Sequence, residues 1–172
     1  MSGLLRPFLD RWRLCALLVS AAMLAIAHGF QTFGHLAPCT LCLRQREVYW
    51  VAGAVALAFL IIVRLPGGPR LRQASCWLLG AIFLVGCAIA VYHAGAEWKF
   101  WPGPTTCSGA GAADVNAQAL SALLNGAKIK PPACDKAAWV FLGLSMAGWN
   151  ALISLALASL SAAAALRERT KR

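Results

Sequence analysis

Four stretches of this chain carry no charged side chain: Leu14–Phe30 (17 residues), Val48–Val63 (16), Ala74–Tyr92 (19) and Ala137–Leu166 (30). A helix rises 1.5 Å per residue, so the first two reach about 24–26 Å against roughly 30 Å of hydrocarbon. Extending the second back toward Pro38 closes its deficit, since proline suits a first helical turn. The fourth is longer than a span needs and must tilt or protrude. Ala, Leu and Gly dominate, and no two-residue alternation of the barrel kind occurs. Only 13% of the residues are charged and 60% are hydrophobic, against roughly 25% charged in soluble domains. Little remains for a soluble core. We read a single integral membrane domain of the all-α class. It is an antiparallel bundle of four transmembrane helices over about 14–30, 44–63, 74–92 and 137–163, with a long outer loop, 93–136, between the third and fourth.

The formal charge of +10 invites a nucleic-acid reading, but its placement argues for topology. Arg6, Arg11 and Arg13 precede span one, and Arg64, Arg70 and Arg72 follow span two. Arg167, Arg169, Lys171 and Arg172 follow span four. An even number of spans puts all three groups on one side, which the positive-inside rule makes the cytoplasm. The expected orientation is N-in, C-in. The head of the chain also reads as a cleavable signal ending at Ala25-Ile26-Ala27; the intact mass of the purified protein decides between the two.

Topology sorts the seven cysteines. Cys15, Cys76 and Cys87 lie inside spans one and three and read as small buried hydrophobes. Cys39, Cys42, Cys107 and Cys134 fall on the outer side, where disulfides persist in bacteria. Cys39-Thr40-Leu41-Cys42 is a CxxC beginning one residue after Pro38. At a helix start the free N–H groups favour a thiolate, and Arg44 and Arg46 add positive potential. A zinc site is the rival, with Cys39, Cys42, Cys107 and Cys134 as thiolates and His35 or His93 as a further donor. The 26 residues between Cys107 and Cys134 contain no metal knuckle, which weighs against it. A bridge between those two would close a 28-residue ring, worth roughly 3.5 kcal/mol. In a loop studded with Gly and Pro, such a bridge is open to an external thiolate. Between them, Val115–Leu124 has the apolar spacing of a short helix that either lies on the membrane surface or packs within the loop.

Four spans, a CxxC after the first and two further cysteines in the second outer loop resemble the disulfide bond formation protein B (DsbB) family. The strings PCTLCLRQR at 38–46, Gly-Pro before Cys107 and CDKAAWVFLGLSMAGWN at 134–150 carry the likeness, which runs from about Leu14 to Leu160. The resemblance implies a protein-disulfide:quinone oxidoreductase of the bacterial inner membrane. Such an enzyme reoxidises a DsbA-like periplasmic thioredoxin-fold partner and passes two electrons to ubiquinone or menaquinone. It implies that the partner attacks Cys107, that Cys134 is the disulfide mate of Cys107, and that Cys39–Cys42 is the pair beside the quinone. Cys42 would face the quinone ring and Arg46 would assist its binding. His93, Gly95 and Glu97 resemble features of one branch of the family.

Arg46, four residues after Cys42, shares its helical face; apart from the resemblance it reads equally as a snorkelling interfacial arginine or as a guanidinium that stabilises charge on a quinone oxygen. Arg44 points elsewhere and reads as interfacial. His93, at the outer end of span three, reads either as a headgroup-level histidine or as a donor of a hydrogen bond or proton to the quinone. His28 and His35 read as structural. Asn150 and Ser145 need interhelical partners, and Glu47 and Glu97 are expected to pair with Arg or Lys. Trp98, Trp101 and Trp139 suit an outer aromatic belt, Trp12 and Trp77 an inner one. The alternative from another class is a metal-binding or structural four-helix membrane protein with stabilising outer disulfides. A vitamin K epoxide reductase-type enzyme is disfavoured, because its CxxC belongs to the last helix.

Overall fold

The computed structural model describes residues 6–62, 68–104 and 134–170. A short helix α1 (Arg6–Asp10) leads into α2 (Trp12–Thr32), followed by α3 (Thr40–Ile62) and α4 (Gly68–Glu97). A two-strand hairpin, β1 (Val140–Phe141) and β2 (Leu144–Ser145), then precedes α5 (Met146–Thr170). Four of the helices are long and apolar enough to cross a membrane. Only 17–39% of each apolar window is buried within the protein, so most of the apolar surface faces outward, as a lipid solvent requires. Cys107 and the expected short helix at 115–124 lie outside the described residues.

The helices exceed the charge-free blocks at nearly every end. α2 takes in Arg13, α4 takes in Arg70 and Arg72, and α5 runs past Arg167 and Arg169. Long basic side chains reach the interface from inside a helix, so the last charge-free residue underestimates its length. The fourth span is the opposite case. Residues 137–145 were expected to be helical, yet α5 begins only at Met146. Val140 pairs with Ser145 and Phe141 with Leu144, around a turn in which Leu142 (φ 50°) and Gly143 (φ 78°) both take positive φ. That is the two-residue turn whose twist matches antiparallel strands, and it needs glycine or its equivalent.

Successive helices pack against one another, and small residues set their spacing. A Cβ on Gly86 would stand 2.9 Å from the Val48 side chain, and one on Gly80 would stand 3.3 Å from Ser161. Leu9, Trp12, Ala16, Ala52, Leu79, Phe83 and Ala164 form the core. Trp12 was expected in an interfacial belt; it is instead 4% exposed and donates its Nε1–H to Ser161 Oγ at 2.9 Å. Its indole N–H finds an acceptor inside the bundle, so the ring need not sit at the headgroups. Asp10 accepts from Arg167 at 3.0 and 3.3 Å, closing α1 onto α5.

Candidate functional site

Cys39 stands at the N-cap of α3. Its carbonyl accepts the Leu43 N–H at 3.1 Å, and its sulfur accepts the Cys42 N–H at 3.2 Å, the bond an N-cap side chain makes with the third helical residue. The CxxC spacing therefore closes on itself, with the two sulfurs 2.8 Å apart and both cysteines free. A disulfide needs about 2.05 Å, so a small side-chain rotation suffices to form one. Cys39 is buried and Cys42 half-buried. The hydrogen bond to Cys42, reinforced by burial, pushes the Cys39 thiol above the usual range. Cys39 thus keeps its proton and donates it toward Cys42.

Two groups flank Cys39. Cys134, 1% exposed and engaged in a disulfide, packs against it in a small cluster that includes Leu41 and Cys42. His93 of α4 approaches from the other helix, with Nε2 3.6 Å from the Cys39 sulfur. The ligand atoms of Cys39, Cys42 and His93 all lie within 4.8 Å of one another, a set chemically able to hold a soft metal ion. The four-thiolate zinc arrangement is a different matter, because the Cys134 sulfur is committed to its disulfide.

Beyond Cys42 lies an apolar cavity of about 380 Å³, bounded by α2, α3, α5 and the hairpin. Met23, Phe30, Trp139 and Trp149 contribute apolar wall, while Cys42, Gln45, Arg46, Tyr49 and Asn150 supply its polar groups. Arg46 is anchored there by α2: its Nη1 donates to Gln31 Oε1 at 2.6 Å and its Nη2 to the Ala27 carbonyl at 3.0 Å. Arg44 is exposed and pairs with Glu47 at 2.9 Å, as the sequence led us to expect. His93 is absent from the cavity wall; its contacts are with Cys39, Gln45 and Glu97.

A buried polar chain runs beside the cavity. Tyr49 Oη donates to Asn150 Oδ1 (2.5 Å), Asn150 Nδ2 to Gln45 Oε1 (2.6 Å), and Gln45 Nε2 meets His93 Nδ1 (2.9 Å). Asn150 has thus found the interhelical partners it needs, while Ser145, on β2 rather than in a helix, donates to Glu97 of α4. Glu97 differs from expectation: its partners are Ser145 Oγ and His93 Nε2 (3.7 Å) rather than a basic side chain. Gln45 and Tyr49 escaped the sequence reading. Cys42, Gln45, Arg46 and Tyr49 stand at i, i+3, i+4 and i+7, a polar stripe on one helix face that was there to be read.

The sequence profile of the family described as disulfide bond formation protein DsbB matches residues 10–164. The disulfide bond formation protein B of Methylococcus capsulatus is 34% identical over 157 residues, covering 86% of this chain and 88% of the relative. That of Dechloromonas aromatica is 32% identical over 138 residues, covering 76% of each. Disulfide bond formation protein B 2 of Pseudomonas putida is 31% identical over 160 residues, covering 90% of each. No solved structure gives a significant match.

Proposed function

This chain belongs to the disulfide bond formation protein DsbB family, and from that premise we propose that it is a thiol:quinone oxidoreductase of the bacterial inner membrane. Its substrates are the dithiol of a periplasmic DsbA-like thioredoxin-fold protein and a membrane quinone, ubiquinone or menaquinone. One observation carries the reading: Cys39 touches the disulfide-bonded Cys134 on one side and Cys42 on the other, and Cys42 lines the apolar cavity. Packed cysteines therefore lead from a disulfide-bonded residue to an apolar cavity lined by Cys42. Among the described cysteines, 15, 39, 42, 76 and 87 are free and Cys134 is bonded; that its mate is Cys107 rests on the family membership. Arg13, Arg70, Arg72, Arg167 and Arg169 stand at the helix ends opposite Cys39, which supports an N-in, C-in orientation.

The partner's thiolate attacks Cys107 and releases Cys134, which in turn attacks Cys39 of an oxidised Cys39–Cys42 pair. Closure of the partner's own disulfide frees Cys107, which displaces Cys39 from Cys134 and restores the outer disulfide. Cys39 and Cys42 are left as the dithiol, and the quinone accepts their two electrons. Net, one dithiol becomes a disulfide and one quinone becomes a quinol. DsbA-type oxidants stand at about −120 mV, so regenerating them needs an electron sink outside the thiol pool. Arg46 holds a cation where charge on a quinone oxygen would need one.

The test combines the purified chain in nanodiscs, reduced DsbA-like partner and a short-chain quinone. We expect quinone reduction coupled to partner oxidation, no quinone reduction with Cys39→Ala or Cys42→Ala, and no trapped mixed disulfide with Cys107→Ala. Full quinone-dependent turnover by Cys42→Ala would sink the assignment. Stoichiometric zinc without thiol-dependent quinone reduction would favour the metal-binding alternative.

A further inference from the structure

The buried polar chain is more ordered than helix packing requires. Its bonds run in one direction: Tyr49 gives its only proton to Asn150, Asn150 donates to Gln45, and Gln45 donates to His93 Nδ1. Ser154 Oγ, 3.1 Å from Tyr49 Oη, is left to donate at the start of the chain. An imidazole that accepts at Nδ1 carries its proton at Nε2. Nε2 faces Cys39 Sγ at 3.6 Å and Glu97 Oε1 at 3.7 Å. The opposite sense would turn a ring lone pair toward that carboxylate oxygen, so Glu97 favours the sense in which His93 accepts at Nδ1.

We propose that Gln45, Asn150 and Tyr49 are positioning residues that hold His93 in the tautomer whose Nε2–H points at the Cys39 sulfur. This rests on the exchange sequence proposed above. In its second exchange, Cys107 attacks the Cys134 sulfur of a Cys134–Cys39 disulfide. The Cys107–Cys134 bond forms, the Cys134–Cys39 bond breaks, and the electron pair stays on Cys39. Cys39 is 5% exposed, so water does little to stabilise its developing charge. His93 supplies the missing hydrogen bond and keeps its own proton throughout. Directional hydrogen-bond chains polarise one another at low dielectric, so the donors behind His93 strengthen the bond it makes.

Two measurements test this on the full chain in nanodiscs. Ring ¹⁵N NMR of histidine-labelled protein reads the His93 tautomer without turnover. Quench-flow with thiol trapping reads the rate at which reduced partner converts oxidised chain to the Cys39–Cys42 dithiol, with quinone absent. We expect wild-type His93 to be protonated at Nε2 alone. Asn150→Leu should mix the tautomers and slow transfer by about tenfold, the scale of one hydrogen bond to a charged group. A cycle with His93→Gln should be non-additive, because both variants weaken one bond. If Asn150→Leu does not fold, Tyr49→Phe is judged by the same criteria. Transfer at the wild-type rate, an unchanged tautomer, or a raised quinone KM with normal transfer would overturn the proposal, the last by showing that these residues serve the cavity directly. A wild-type chain inert toward partner would defeat the functional reading instead, while the ring signal still judges the positioning.

Discussion

Replacing Arg46 with alanine should raise the quinone KM by about 10–100-fold while leaving partner-to-chain disulfide transfer near the wild-type rate. A guanidinium has five N–H donors. Gln31 and Ala27 take two of them, leaving three at the cavity wall. A hydrogen bond to a group that gains charge contributes roughly 1.5–3 kcal/mol net, a factor of about 10–150 in affinity. The lower part of that range applies, because Arg46 is only half-buried. The two bonds to α2 add a structural cost of about 1–2 kcal/mol, which should lower Tm by about 2–8 °C in a chain of this size. Lysine offers one point charge and cannot span both α2 acceptors and a quinone oxygen, so Arg46→Lys should fall between the two. Gln31→Leu separates anchoring from contact: it should lower Tm but raise KM by only a few-fold. The assay is steady-state reduction of a soluble short-chain quinone, paired with thermal unfolding monitored by tryptophan fluorescence. An Arg46→Ala protein with wild-type KM would refute the reasoning and leave Arg46 as a clasp between α2 and α3.

Gly95 admits no side chain: a Cβ there would lie 2.0 Å from the Trp101 ring, which stacks on Tyr92 and donates to its carbonyl at 2.8 Å. Gly95→Ala should displace that ring and cost about 2 kcal/mol, seen as a Tm lower by several degrees and red-shifted emission; an unchanged spectrum and Tm would contradict it. Lys99 donates at 2.7 Å to the Asp135 carboxylate and at 2.8 Å to its carbonyl, and that bond holds the carboxyl below its ordinary value of 3.8. A depressed folded pKa means the contact is present above about pH 4 and lost as pH falls through the folded value. Phosphine reduction of the Cys134 disulfide should therefore accelerate below that value in the wild type. Asp135→Asn should start faster and stay flat there, and identical profiles would refute the link.

Much of the site was legible because it is local. A CxxC after Pro38 starts a helix, and a helix start places both sulfurs and the capping N–H together whatever surrounds them. Arg46 follows Cys42 by one turn, so both line the cavity. Arg44 and Glu47, three apart and exposed, find each other. His93 was legible as a site residue but not in its contacts. It meets the thiol and Gln45 rather than the cavity, which depends on how α4 is rotated against α3.

What the sequence determined by itself is the set of spans and the chemistry of their ends. Every backbone polar group in lipid must be satisfied within its own helix, so long uncharged runs declare themselves without reference to neighbours. Tertiary structure decided whatever depends on the angle of each helix about its own axis and on what lies opposite. It turned residues 140–145 into a hairpin, because a short apolar run has no period to distinguish strand from helix. It drew Trp12 inward to Ser161, and it gave Glu97 a serine and a histidine in place of a cation. It also joined Tyr49, Asn150, Gln45 and His93 from three helices. Each is polar and buried, and a buried polar group takes the partner that packing brings within 3 Å, whatever its distance along the chain.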